Sequence, residues 1–104
     1  MVKKTIENKI KRLAKVLSKQ YRIAGIYLFG SYARGEAGKH SDIDICVVSP
    51  DFSPKTIDLL ANVRRAASAI EVQFDAFITT PEKFKNDLVS PLLHEIRQDA
   101  VKII

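Results

Sequence analysis

Ile26-Tyr27-Leu28-Phe29-Gly30-Ser31-Tyr32-Ala33-Arg34-Gly35-Glu36-Ala37-Gly38-Lys39-His40-Ser41-Asp42-Ile43-Asp44-Ile45-Cys46-Val47-Val48 is the stretch that decides the fold. An apolar strand runs into Gly30-Ser31, a polar glycine-rich loop follows, and a second strand opens on two carboxylates. Ten residues separate Ser31 from Asp42. A strand that turns into a helix at a glycine offers unpaired backbone N–H groups to an anion. Carboxylates at i and i+2 of a strand share one face, about 6–7 Å apart along the chain. That separation suits divalent cations that bridge phosphate oxygens.

Alternation across residues 42–48 puts Ile43, Ile45 and Val47 on one face and Asp42, Asp44 and Cys46 on the other. Two anions side by side on a strand are unfavourable unless something positive neutralises them, and Asp is a poor strand former. Breaking both rules at one strand start points to a site. Two-metal phosphoryl chemistry usually needs a third carboxylate. Within Glu71-Val72-Gln73-Phe74-Asp75-Ala76-Phe77-Ile78, the residues Gln73, Asp75 and Phe77 form one face, and Asp75 lies mid-strand among apolar neighbours. Such an aspartate is costly unless paired, and reads as the third ligand or, alternatively, as an exposed edge-strand aspartate. Glu71 shares its parity but stands at the beginning of the segment, and ranks behind it.

Gly30-Ser31, ten residues, then Asp42-Ile43-Asp44 resembles the signature of the nucleotidyltransferase superfamily that includes DNA polymerase β. The wording Gly30-Ser31-Tyr32-Ala33-Arg34-Gly35 followed by Ser41-Asp42-Ile43-Asp44 is similar to its minimal nucleotidyltransferase branch, and the likeness runs from about Ile23 to Ile78. It implies an α/β fold in which a small mixed β-sheet is flanked by helices. It implies transfer of a nucleoside monophosphate, AMP from ATP, to a hydroxyl. Asp42, Asp44 and Asp75 would be catalytic and hold two Mg²⁺ ions. Gly30, Ser31, Arg34 and Ser41 would bind the nucleotide, with Arg34 alternatively pairing with Glu36, and Ser31 alternatively an ordinary helix N-cap. The branch also implies a partner chain, a HEPN-type toxin that such antitoxins neutralise by adding AMP to a tyrosine. A module that neutralises its partner by contact alone is the competing reading, and an RNA-binding protein a third, resting on charge only.

A P-loop at Gly38-Lys39 is excluded, because the first glycine position holds Ala33 and the hydroxyl position His40. Lys39 reads as a loop lysine and Tyr32 as packing or surface. The single cysteine, Cys46, reads as a buried thiol, cannot form an internal disulfide and fits a reducing cytoplasm. His40 and His94 lie too far apart in sequence to suggest zinc.

With 104 residues, 46% of them apolar and 28% charged, the chain is expected to form one domain, residues 1–104, without a membrane span or signal peptide. The net charge of +5 favours anionic partners. Most of the excess lies in Lys3, Lys4, Lys9, Lys11, Arg12, Lys15 and Lys19, which reads as a solvated helix face or a docking surface. A homo-oligomer is left open.

The apolar spacing Ile6, Ile10, Leu13, Leu17 predicts a helix over 3–20. A strand over 22–29, a helical turn over 31–35 and a loop over 36–41 follow. A strand over 42–48, a helix over 54–69 and a strand over 72–78 come next. Thr80-Pro81 marks a helix start. A helix over 91–98 and an edge strand over 100–104 end the chain.

Overall fold

The computed structural model describes residues 3–38, 41–87 and 90–104. Helix α1 (Lys4–Leu17) is followed by strand β1 (Gly25–Phe29), the single turn α2 (Ser31–Arg34) and strand β2 (Ile43–Val48). Then come α3 (Ile57–Ile70), β3 (Phe74–Thr79), α4 (Pro81–Asn86), α5 (Pro91–Asp99) and the two-residue β4 (Val101–Lys102). The sheet order is β3-β2-β1-β4, with β1 antiparallel to both neighbours and β2 parallel to β3. This is the mixed α/β sheet expected from the sequence.

Each strand's alternation sorts its side chains onto two differently covered faces. Ile26 and Leu28, Ile43, Ile45 and Val47, and Phe74, Ala76 and Ile78 are buried with Ile10, Leu13 and Leu17 of α1 and Val63 and Ala67 of α3. The opposite face carries Phe29, Cys46 and Val48, buried under Leu93 and Ile96 of α5, with Tyr27, Phe77 and Phe84 packed around them. Tyr27 stacks on Phe84 with ring centroids 4.4 Å apart, and Phe29 meets Phe77 at 5.5 Å. Two guanidinium–carbonyl contacts from Arg97, to Phe84 O and to Asp87 O, tie α5 to α4.

Three helices are capped as their sequences dictate. Thr56, Thr80 and Ser90 accept the backbone N–H of Leu59, Lys83 and Leu93, and Pro81 and Pro91 open their helices where no N–H is needed.

The edges of several elements differ from expectation. β1 begins at Gly25, because the Arg22 N–H and guanidinium are held by the Asp51 carboxylate instead of a ladder partner. β3 begins at Phe74, because residues 71–74 form a turn closed by the Phe74 N–H on Glu71 O. Val72 is thereby 84% exposed. α3 starts at its Thr56 cap, two residues past Pro54, and runs to Ile70.

Candidate active site

The parallel pairing of β2 with β3 sets Asp44 directly opposite Asp75, on strands about 4.8 Å apart. On the other side Asp44 faces Phe29, the last residue of β1. Asp42 stands exposed just ahead of β2, and Asp44 and Asp75 are half-buried. Parity places the last two on the face covered by α4 and α5, beyond the apolar cluster of Phe29, Cys46 and Phe77.

Gly30 closes β1 in a conformation reserved for glycine, φ 74° and ψ −153°. There is also no room for a side chain. A Cβ at this position would run into the Asp44 carboxylate and lie 3.2 Å from its Cγ. The glycine therefore lets the start of α2 come down on the acid of the neighbouring strand. Gly30 is the N-cap residue of α2, so Ser31 is the first helical residue and not the cap. α2 packs on β1 and β2 and ends at a second left-handed glycine, Gly35, φ 73°.

Burial raises the Asp44 carboxyl above the ordinary aspartate range, and the charges of Asp75, Asp42 and Glu95, in that order, push further in the same direction. Arg34 opposes them. Glu95, on α5, is an acid near the site that no pattern in the sequence pointed to. Arg34 itself is engaged by two carboxylates. Its Nη1 donates to Asp99 Oδ2 at 3.1 Å, and its Nε makes a long contact of 3.5 Å to Glu36.

Ser41 folds back on its own loop, its Oγ accepting the Gly38 N–H at 2.9 Å. Glu71 is removed from the site altogether. The turn preceding β3 swings its carboxylate to Lys9 of α1, 2.6 Å away, and to the Gln73 N–H. Lys39 and His40 lie outside the described residues. Cys46 is buried, as expected, and its thiol is pushed up to about 12.

Residues 10–104 match the family model described as the nucleotidyltransferase domain, which covers most of the chain. The chain belongs to the nucleotidyltransferase domain family. Among its relatives are two proteins of Methanocaldococcus jannaschii, each described as a "putative protein adenylyltransferase". One is 48% identical over 42 residues, 40% of this chain and 42% of the relative. The other is 46% identical over 55 residues, 51% of this chain and 55% of the relative. The matches thus span about half the length of these relatives.

Solved structures agree with the fold of this nucleotidyltransferase domain. A toxin–antitoxin structure with AMP-PNP superposes with a TM-score of 0.67 at 25% identity, covering 94% of this chain and 72% of that one. A structure described as a "putative minimal nucleotidyltransferase" superposes with a TM-score of 0.64 at 21% identity, covering 97% of this chain and 95% of the other. Among the described residues no helix is long and apolar enough to cross a membrane.

Proposed function

We propose that this nucleotidyltransferase domain moves AMP from ATP to a hydroxyl of a partner protein, a tyrosine of a HEPN-type toxin, and so acts as an antitoxin. The observation that carries the reading is the register of β2 on β3, which sets Asp44 beside Asp75 at the point where Gly30 leaves no space for a side chain. The neighbour described as a toxin–antitoxin structure with AMP-PNP supports the partner and the nucleotide.

Among the described residues no three metal-binding side chains converge into a ready-made cage. The donor set nonetheless fits Mg²⁺. Asp42, Asp44 and Asp75 offer hard oxygen ligands only, and a cation would relieve the Asp44 carboxyl, which is raised first by burial and then by its acidic neighbours. When bound, Mg²⁺ would supply charge neutralisation on the phosphates and acidify the acceptor hydroxyl.

The chain's own groups do the rest. Backbone N–H groups at the start of α2 and the Ser31 hydroxyl hold the terminal phosphates, and Arg34 adds its guanidinium. Ser41 keeps a hydroxyl proton to donate after accepting from Gly38. The acceptor oxygen forms its bond to the α-phosphorus, the bond from that phosphorus to the bridging oxygen breaks, and pyrophosphate leaves. Asp75 takes the hydroxyl proton.

The test uses the chain with its HEPN-type partner, ATP and Mg²⁺, read by intact mass. The partner should gain one AMP or a few, on tyrosine. Asp42→Asn/Asp44→Asn should still bind the partner and add nothing. Neutralisation of the partner by wild type with no mass gain, under each of the four nucleoside triphosphates, would refute catalysis and leave a module acting by contact.

A further inference from the structure

Arg34 ends α2, the turn that Gly30 seats against the Asp44 carboxylate, and Asp75 lies directly opposite Asp44. A guanidinium there is drawn onto the acids. A direct pair would consume the carboxylates needed for a cation and the donors needed for phosphate. The observed hydrogen bonds go elsewhere, with Nη1 on Asp99 and Nε on Glu36, while Nη2 is engaged by neither carboxylate. Asp99 is also oddly placed for a purely structural acid. It is the last residue of α5, and a carboxylate at a helix C-terminus is opposed by the helix dipole. It lies 65 positions from Arg34 in sequence, so only the packing of α5 over the sheet brings the two together. The pair is 38% and 31% exposed, too open to contribute much to folding.

We propose that Asp99 is a positioning residue for nucleotide binding: it holds Arg34 off the Asp42–Asp44–Asp75 cluster, keeping the guanidinium ready for the triphosphate and the carboxylates ready for cations. The assignment rests on the nucleotide site described above. Glu36 steadies the other edge of the guanidinium, and α5 becomes part of the site. Glu95 lies one turn earlier on the same helix.

The experiment measures binding of α,β-methylene ATP with Mg²⁺, an analogue that cannot be cleaved between its α- and β-phosphates, by titration calorimetry. Asp99→Asn should weaken binding about three- to tenfold and raise the Mg²⁺ concentration needed, because Arg34 then competes for the acids. Urea stability should stay the same or rise, which a merely structural role for Asp99 would not allow. Asp99→Glu should restore most of the affinity. In an Arg34→Ala background Asp99→Asn should have no further effect, since its action runs through the guanidinium. Equal or tighter binding by Asp99→Asn would overturn the proposal and make Asp99 a competitor of the phosphates. So would a full additional loss in the Arg34→Ala background. Wild type that fails to bind the analogue, with Asp42→Asn/Asp44→Asn behaving identically, would overturn the nucleotide site itself and this role with it.

Discussion

Replacing Gly30 by alanine tests how strand β1 and the Asp44 carboxylate are joined. At φ 74° and ψ −153°, an L-residue carries backbone strain of about 1–3 kcal/mol. Alanine also narrows the unfolded ensemble, which offsets about 0.4–1 kcal/mol of that cost. The new Cβ meets the Asp44 carboxylate and sits 3.2 Å from Cγ. Backbone is harder to move than the end of a side chain, so the carboxylate swings away, at about 0.5–1.5 kcal/mol for an off-rotamer aspartate. The sum centres on about 2 kcal/mol of destabilisation, a drop of roughly 8–16 °C in Tm for a domain of this size. Urea unfolding at constant m-value is the assay. In an Asp44→Ala background the displacement part disappears, so the loss should shrink by about 0.5–1.5 kcal/mol and the backbone part remain. A Gly30→Ala protein within about 0.5 kcal/mol of wild type would refute the strain argument. An undiminished loss in the Asp44→Ala background would refute the contact.

Asp44→Asn should stabilise the protein at neutral pH. The folded-state carboxyl titrates above its ordinary 3.8, so the native state binds the proton more tightly and wild-type stability falls as pH rises between the two values. The advantage of Asn should therefore shrink on acidification through the raised value and vanish below 3.8; a pH-independent difference in urea midpoints would contradict this. Glu71 is the opposite case, held below its ordinary 4.5 by its hydrogen bond from Lys9 and by the Gln73 N–H. Glu71→Gln should cost about 1 kcal/mol or less at pH 7, the loss fading as pH falls through the folded-state value, with nucleotide binding untouched; impaired binding would return Glu71 to the site. Burial pushes the Cys46 thiol up to about 12, so a thiol reagent should label the native protein slowly and the urea-unfolded protein at once. Fast labelling with the fold intact would show that the α5 face opens readily.

The parts of this molecule visible in sequence were those written in local pattern. The alternation of residues 42–48 placed both the isoleucine core and the acid face, and Thr80-Pro81 located a helix start to the residue. Asp75 stood out because an acid among apolar strand residues needs a reason, and the register sets it opposite Asp44. Parity put Glu71 on the Asp75 face, though ranked behind it, and the turn that precedes Phe74 takes its carboxylate to Lys9 instead. The Arg34–Asp99 hydrogen bond and the presence of Glu95 were invisible. Both depend on how α5 crosses the sheet, and a helix carries no periodicity that names the strand it will cover. Their one trace was a pair of acids one turn apart near the end of a short helix, too common a pattern to point anywhere.

The ladder between β2 and β3 has a consequence for how this molecule can fail. Both strands alternate in step, Ile43-Asp44-Ile45 against Phe74-Asp75-Ala76. A slip of one residue would turn the Asp75 side chain in among the apolar groups beneath α3 and bring Phe74 out beside Asp44. A slip of two would restore the faces yet separate Phe77 from Phe29 and leave the ends of the ladder unpaired. Every misaligned state is thus also a badly packed one. A folded copy with its acids out of line has almost no well to occupy, so errors in alignment surface as unfolded chain for proteases to clear, and the copies that remain folded carry the acids in step.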